Sequence, residues 1–379
     1  MDFNFTEEQS MLRDSIAKFI AGEYDFDKRR AMIAEGSAWK KNWAAFAELG
    51  LLAAAVPEDF GGLGGGAVET LVVMEEFGKA LVVEPYLQTA VIGAGLLQAA
   101  GSSAQKQAHL PEIASGERIF AFAYAEPKGR YNLADLATTA KKAGAGYVLN
   151  GHKAVVIGAP QADHLIVTAR TAGAQRDAGG VSLFIVPTDA KGVTRRDYLT
   201  IDAFKASEVY FENVALGAEH LIGPADGALP LIEKAADQAI AALCAEACGA
   251  MLQMNALTLE YAKGRKQFGV PISSFQVLQH RMADMFTATE QSISIMYMAT
   301  LKLDEPAAER AKAVSAAKVH IGKAARFVGQ SAIQIHGGMG MTDEMRVGHY
   351  FKRVTMFDTQ FGNVDHHLRR YAGASFRAA

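Results

Sequence analysis

Two short segments in the last third of the chain place donor side chains beside glycines. The first reads RKQFG at positions 265–269, and the second reads QIHGGMG at positions 334–340. The planar guanidinium of Arg265 suits a bidentate phosphate contact, and glycine lets a backbone approach a ligand closely. On these residues alone, the pattern indicates either a phosphate site or two glycine-rich helix ends, one of which carries an arginine.

A carboxylate and two thiols lie on an otherwise apolar helical stretch of the same region. Glu246 lies between Cys244 and Cys248. A carboxylate in such a place is either paired with a basic group or kept for function. The two cysteines share a helix face and have no histidine at ligand spacing, so we predict buried thiols and no metal site.

The elements that must position these residues fall into three zones. Apolar residues recur at helical spacing from the N-terminus to about residue 116, short β-rich runs follow, and helical spacing returns near residue 227. We therefore predict an α+β fold with domains at residues 1–116, 117–226 and 227–379. Long helices are expected at 230–264, 275–305 and 307–335. Strands are expected at 118–124, 147–149, 153–157, 164–168, 181–186 and 207–211.

Composition narrows the function classes. The 379 residues include 38 Lys and Arg against 41 Asp and Glu, a formal charge of −3, which argues against nucleic-acid binding. No apolar run approaches the ~20 residues of a membrane span, and the N-terminus has no signal-peptide pattern. The sequence thus predicts a cytoplasmic protein.

Taken with five further motifs, the two segments resemble the acyl-CoA dehydrogenase family over essentially the whole chain. The motifs are VPEDFGG at 56–62, AEP at 125–127, LNGHK at 149–153, FQ at 275–276 and QHRMADM at 279–285. The resemblance implies an N-terminal helical domain, a middle antiparallel β-domain and a C-terminal four-helix bundle, usually in tetramers. It also implies FAD as cofactor and an acyl-CoA thioester as substrate. A carboxylate would take the α-proton and a hydride would pass from the β-carbon to the flavin, giving a trans-2-enoyl-CoA, with an electron-transfer flavoprotein as acceptor.

The family's cofactor positions carry over unevenly. Positions that reach across a subunit interface to a neighbour's FAD are intact, and they are Arg265, Gln267, Phe268, Gln334 and Gly338. The resemblance assigns the subunit's own FAD to Phe122, Ala125 and Asn363. Ala125 replaces the usual hydroxyl residue, and Val155 and Ile157 replace a usual aromatic and a usual Thr or Ser.

Neither family position for the catalytic base holds a carboxylate. Phe361 stands in the C-terminal turn where many relatives carry Glu, and Ala239 stands at the other family position. We therefore predict Glu246 as the replacement base, with Asp237 and Asp365 as alternatives. A structural ion pair is the competing interpretation of Glu246.

Three functions follow from this pattern. Segments at 130–132, 351–353 and 361–367 resemble the pimeloyl-CoA dehydrogenase small-subunit type within the family, which favours a heterotetramer acting on dicarboxylyl- or bulky acyl-CoA. A homotetramer with a shifted base is the alternative assembly. The other two functions are a non-catalytic partner or scaffold subunit that contributes to a neighbouring chain's FAD site, and a flavin oxidase or monooxygenase on the same fold.

Overall fold

The computed structural model describes residues 5–376 and comprises two compact units. One unit contains the chain up to Glu35, Ala67–Val82 and the chain from Ile240 onward, and the other contains Gly36–Gly66 and Val83–Ala239. Each unit is therefore built from separate stretches of sequence. The three domains predicted from sequence stay a prediction.

Helices dominate both ends of the chain, as the sequence predicts. They are α1 (Glu7–Glu23), α2 (Phe26–Glu35), α3 (Trp39–Glu48), α4 (Ala67–Ala80), α5 (Ala94–Ala100), α6 (Ser103–Ala114), α7 (Leu229–Gly264), α8 (Gln276–Leu301), α9 (Ala307–His336), α10 (Arg346–Thr359) and α11 (Val364–Phe376). A π-helical turn, Leu87–Gly93, leads directly into α5. The bounds of α7, α8 and α9 lie within four residues of the predicted ones.

An eight-stranded sheet lies in the unit that contains Val83–Ala239. Its strands are β1 (Phe120–Ala123), β2 (Thr139–Ala143), β3 (Gly146–Ile157), β4 (His164–Arg170), β5 (Val181–Pro187), β6 (Val193–Leu199), β7 (Lys205–Leu216) and β8 (Leu221–Ile222). The order is β6-β7-β3-β2-β4-β5-β8, with β1 beside β4. Most neighbours are antiparallel, as expected, but β1 runs parallel to β4, a pairing that the pattern of short strands does not predict. Two further strands, β9 (Lys266–Gln267) and β10 (Val270–Pro271), form a separate hairpin.

Helices α4 and α7 pack with their backbones in close contact at two glycines. A Cβ at Gly78 would lie 2.0 Å from the carbonyl oxygen of Glu246, and one at Gly249 would lie 2.0 Å from that of Glu75. Only glycine permits these approaches. The glycines therefore fix the position of Glu246 against α4.

Helix α7 is also the one described helix that is long and apolar enough to cross a membrane. The most apolar stretch of this helix is 72% buried inside the protein. Burial to that extent is typical of a core helix, whose apolar side chains pack against other parts of the protein.

A buried polar cluster joins α9 to the turn between α10 and α11. The ring nitrogens of His367 lie 3.2 Å from Oγ of Ser315 and 3.1 Å from the carbonyl oxygen of Phe361. The ammonium of Lys318 donates to the carbonyl oxygen of Phe357 and lies 3.6 Å from the centre of its ring. Burial, reinforced by nearby Lys318, lowers the pKa of His367 to about 3.

The low pKa of His367 predicts a specific acid sensitivity. Because the pKa lies below the ordinary value of 6.5, the unfolded chain binds a proton between about pH 6.5 and pH 3 that the folded chain does not. The free energy of unfolding should therefore fall in this window as pH drops, by up to about 1.4 kcal/mol per pH unit from this group. In urea unfolding measured across this range, His367→Gln should show a shallower pH dependence than wild type. The control is His280→Gln, at an exposed histidine of α8, which should leave the pH dependence of the free energy of unfolding unchanged. Identical slopes for His367→Gln and wild type would contradict the prediction.

Candidate functional site

A strained hairpin follows the C-terminus of α7. Val270 pairs with Gln267, and the two residues between them, Phe268 and Gly269, have φ of +55° and +83°. Positive φ at both central residues is the geometry of a tight hairpin turn that matches the strand twist. Phe268 is 93% exposed, so an unfavourable backbone conformation presents an aromatic ring to the outside. Strain of this kind is concentrated at functional sites.

The second segment begins where α9 ends. The Nδ1 of His336 lies 2.8 Å from the carbonyl oxygen of Ala332, and the His336 ring stacks on Tyr261 at 4.3 Å. Burial lowers the pKa of His336, so the imidazole is held neutral and acts structurally. Gly337 then turns the chain at φ +60° and ψ −143°, a conformation essentially restricted to glycine.

The two segments line one open cavity of about 850 Å³. Four of the five residues predicted to reach a neighbour's FAD lie together in its wall. The full lining is Tyr261, Arg265, Gln267, Ile272, Val277, Leu278, Arg281, Gln334, Ile335, His336, Gly337, Gly338, Met339 and Thr342. The fifth, Phe268, belongs to the same hairpin, and its ring lies 6.1 Å from that of Phe275 in an edge-on arrangement.

The wall of the cavity carries charged and neutral donors of the kind that bind phosphate. Arg265 and Arg281 form no ion pair with any of the residues that the structure describes. The amides of Gln267 and Gln334 add neutral donors. A Cβ built on Gly338 would meet nothing within 4 Å, so its backbone borders open space where a ligand can approach.

The other predicted cofactor residues belong to different surroundings. Phe122 is buried in β1, and its ring stacks on Tyr124 at 5.2 Å. The carbonyl oxygen of Ala125 accepts from the amide of Ala154, so this segment is tied to β3. Val155 lies where the β3–β7 register is broken, with φ +51° and a side chain that is 46% exposed.

A buried ion pair supports the segment after β1. The ammonium of Lys153, fully buried, donates to Glu126 at 2.7 Å and to Thr168 at 3.0 Å. Burial lowers the pKa of Lys153 to about 8, against the opposing effect of Glu126. Glu126 also accepts from the amides of Ala137 and Thr138. Because the same ammonium also donates to the carbonyl oxygen of Tyr124 at 3.4 Å, the pair holds the backbone on both sides of Ala125.

Of the three candidate bases, Glu246 has the best-defined surroundings. It lies on α7 with 5% exposure, and Nη1 of Arg353 on α10 donates to its Oε1. The same Nη1 donates to the carbonyl oxygen of Val82 at 2.9 Å. This arrangement corresponds to the structural ion pair that the sequence left open, and it engages the carboxylate that the base assignment would need.

The two alternative carboxylates differ in burial. Asp237 is fully buried in the first third of α7, whereas Asp365 is exposed in the first turn of α11. A carboxylate in a first turn stabilises the helix through its dipole. Asn363 caps the same helix, since its Oδ1 accepts from the amide of His366 at 3.0 Å. The assignment of Asp237 or Asp365 as base and of Asn363 to FAD stays a prediction.

Sequence reasoning missed two residues that the structure places at these sites. Arg281 lies in the QHRMADM segment but is not among the predicted site residues, although it follows Leu278 and Val277 by three and four residues and therefore shares their helix face. Arg353 lies in the 351–353 segment, and the sequence does not predict it as the partner of Glu246. No local spacing connects residues 107 positions apart.

Family comparisons agree with the architecture along nearly the whole chain. The acyl-CoA dehydrogenase N-terminal domain matches residues 6–117, the middle domain residues 121–214 and the C-terminal domain residues 229–375.

Individual proteins give the same result. The chain is 31% identical to the probable acyl-CoA dehydrogenase YngJ of Bacillus subtilis (strain 168), over 96% of this chain and 97% of that protein. It is similar to the crystal structure of acyl-CoA dehydrogenase from Geobacillus kaustophilus, at 28% identity and a TM-score of 0.91 over 98% and 99% of the two chains. It is also similar to a chain of the ChsE4-ChsE5 complex from Mycobacterium tuberculosis, at 25% identity and a TM-score of 0.89 over 100% of both chains.

Proposed function

We propose, since the chain belongs to the acyl-CoA dehydrogenase family of FAD-dependent oxidoreductases, that it forms one subunit of a two-chain acyl-CoA dehydrogenase. In this assembly its open cavity receives the diphosphate half of an FAD held mainly by the neighbouring, related subunit. The chemistry that FAD supplies when bound is acceptance of a hydride from the β-carbon of the acyl-CoA. The observation that carries the proposal is the gathering of Arg265, Gln267, Gln334 and Gly338 in one wall.

The rim of the cavity supports a site that a neighbouring subunit completes. Three apolar side chains at this rim are largely exposed, at 93% for Phe268, 70% for Val277 and 49% for Met339. Exposed apolar surface beside a polar cavity is typical of an interface. The ligand would thus be held by donors from this chain on one side and covered by the neighbouring subunit on the other.

The substrate proposal is a dicarboxylyl- or bulky acyl-CoA, with an electron-transfer flavoprotein as electron acceptor and the cytoplasm as the compartment. It rests on the resemblance of segments 130–132, 351–353 and 361–367 to the small-subunit type. The similar ChsE4-ChsE5 structure is a complex of two named proteins, which supports a two-chain assembly here.

A non-catalytic partner subunit is the second candidate, and one observation favours it. Glu246 is engaged by Arg353, and Phe361 occupies the turn where relatives carry Glu. In that case the chain would contribute its cavity to the neighbour's FAD and no base of its own.

Visible spectroscopy tests the two-chain, FAD-binding dehydrogenase that both candidates share. We expect the chain purified alone to hold little FAD, and the chain co-purified with a related acyl-CoA dehydrogenase subunit of the same organism to show a flavin band. Anaerobic addition of a panel of dicarboxylyl-, steroid-like and straight-chain acyl-CoA thioesters should bleach that band. A co-purified complex that stays yellow with every thioester would contradict dehydrogenation, and absence of flavin from both preparations would contradict the FAD proposal as a whole.

A further inference from the structure

The open cavity contains a second guanidinium, that of Arg281, to which neither the family resemblance nor the predicted site assigns a role. Arg281 lies on α8, and its helix neighbours Val277 and Leu278 line the same wall. Residues at i, i+3 and i+4 share a helix face, so this face of α8 as a whole is directed at the cavity.

In the part of the chain that the structure describes, no carboxylate neutralises either arginine. Within residues 5–376, neither Arg265 nor Arg281 forms an ion pair, although Asp284 lies one turn after Arg281 on the same helix. An arginine whose purpose is structural normally finds a carboxylate or several carbonyl acceptors, as Arg353 does with Glu246 and Val82.

The helix ends around the cavity make one arginine insufficient for a diphosphate. Helix α7 ends at Gly264, directly before Arg265, and α9 ends at His336, directly before Gly337. Each of these two helix C-termini carries roughly half a negative charge. The N-terminus of α8 carries roughly half a positive charge, which offsets about one of the two C-termini. A single guanidinium would leave only about half a positive charge to face a diphosphate diester, which carries one negative charge on each phosphate.

We propose that Arg281 joins Arg265 to form a diphosphate clamp, so that the cavity selects a nucleotide with two phosphates over one with a single phosphate. The inference rests on the proposed function, since the diphosphate belongs to the FAD of the neighbouring subunit. It assigns Arg281 as a binding residue in addition to the five positions that the family resemblance assigns to a neighbour's FAD. Arginine suits the role because its planar fork can contact two phosphate oxygens at once.

The test measures nucleotide binding directly, by isothermal titration of the full chain with ADP, AMP and inorganic diphosphate at low salt. Wild type should bind ADP more tightly than AMP. Arg281→Ala should weaken ADP binding about 10- to 100-fold, the usual loss for a contact with a charged group, and should remove most of the preference for ADP. Arg281→Lys should lose less, since the charge remains without the fork. The matched control is Lys263→Ala, which removes an exposed charge two residues before Arg265 but outside the cavity lining. This variant should bind ADP like wild type.

Each contrary result has a separate meaning. If Arg265→Ala weakens ADP binding and Arg281→Ala does not, the clamp is wrong and the proposed function stands. If wild type binds neither ADP nor diphosphate while the co-purified complex still bleaches with acyl-CoA, the clamp is again wrong and the dehydrogenase proposal survives. If the complex also lacks flavin, both are wrong.

Discussion

Replacing Glu246 by Gln is expected to lower the free energy of unfolding by about 3–5 kcal/mol, the usual cost of removing one partner from a buried ion pair. Both side chains of the pair are nearly inaccessible to water, with Arg353 at 2% and Glu246 at 5% exposure. The neutral amide would leave the guanidinium charged inside the protein without the carboxylate that balances its charge. The measurement is urea unfolding of the wild type and the variant at neutral pH.

A double variant distinguishes the ion pair from other causes of instability. Arg353→Met alone should cost a similar amount, because it leaves the carboxylate buried without its cation. Glu246→Gln combined with Arg353→Met removes both charges, so its loss should be clearly smaller than the sum of the two single losses. Glu260→Gln, an exposed change on the same helix, should stay within about 0.5 kcal/mol of wild type.

The same variants test the base assignment of Glu246. A catalytic base can be changed to its amide with large loss of activity and little loss of stability, whereas a structural carboxylate shows the reverse. If Glu246→Gln unfolds at the wild-type urea concentration and the co-purified complex nevertheless loses exchange of the substrate α-proton, Glu246 is the base and the structural interpretation is wrong.

The long helices could be predicted because their signal is local and strong. Between Leu229 and Gly264 one internal glycine and one early proline interrupt an apolar helical pattern, and tertiary packing reinforces the same choice. Strands β2 and β6 were missed for the opposite reason. Thr139–Ala143 contains two lysines and two alanines, and Val193–Leu199 has three consecutive charged residues on an edge strand. Their pairing partners, rather than their own propensities, make them strands.

The candidate site likewise has residues that the local sequence predicts and residues that it does not. Glycine-rich turns after helices mark Arg265 and Gln334 in the sequence, because the turn chemistry is written in adjacent residues. Adjacent residues do not show which charged groups will surround a side chain in the folded protein. Whether a carboxylate such as Glu246 is available to act as a base depends on which helix packs against it. The partner of Glu246 comes from α10, through contacts that form only in the folded chain.

The turn between α10 and α11 holds Phe361, at the position where the family resemblance places a catalytic Glu. Phe361 has φ +54°, and its carbonyl oxygen is close to Nε2 of His367. The following Gly362 cannot carry a side chain, since a Cβ there would lie 2.6 Å from the ring of His366. The His367 contact and the restriction at Gly362 thus help to hold the backbone of the turn. Glu and Phe are both unbranched at Cβ, so the left-handed conformation should cost either residue a similar amount.

Phe361→Glu is consequently expected to supply this chain with a base at the position where relatives carry one. A positioned general base accelerates proton transfer about 10²- to 10⁴-fold. When this chain carries the change, the co-purified complex should exchange the α-proton of acyl-CoA faster by a factor of that order. The measurement is deuterium incorporation at the α-carbon in heavy water, followed by mass spectrometry of the thioester. Phe361→Gln has nearly the same shape without the charge, and it should exchange no faster than wild type. Equal rates for the Glu and Gln variants would mean that this turn does not face the substrate, and the search for the base would then return to Asp237 and Asp365.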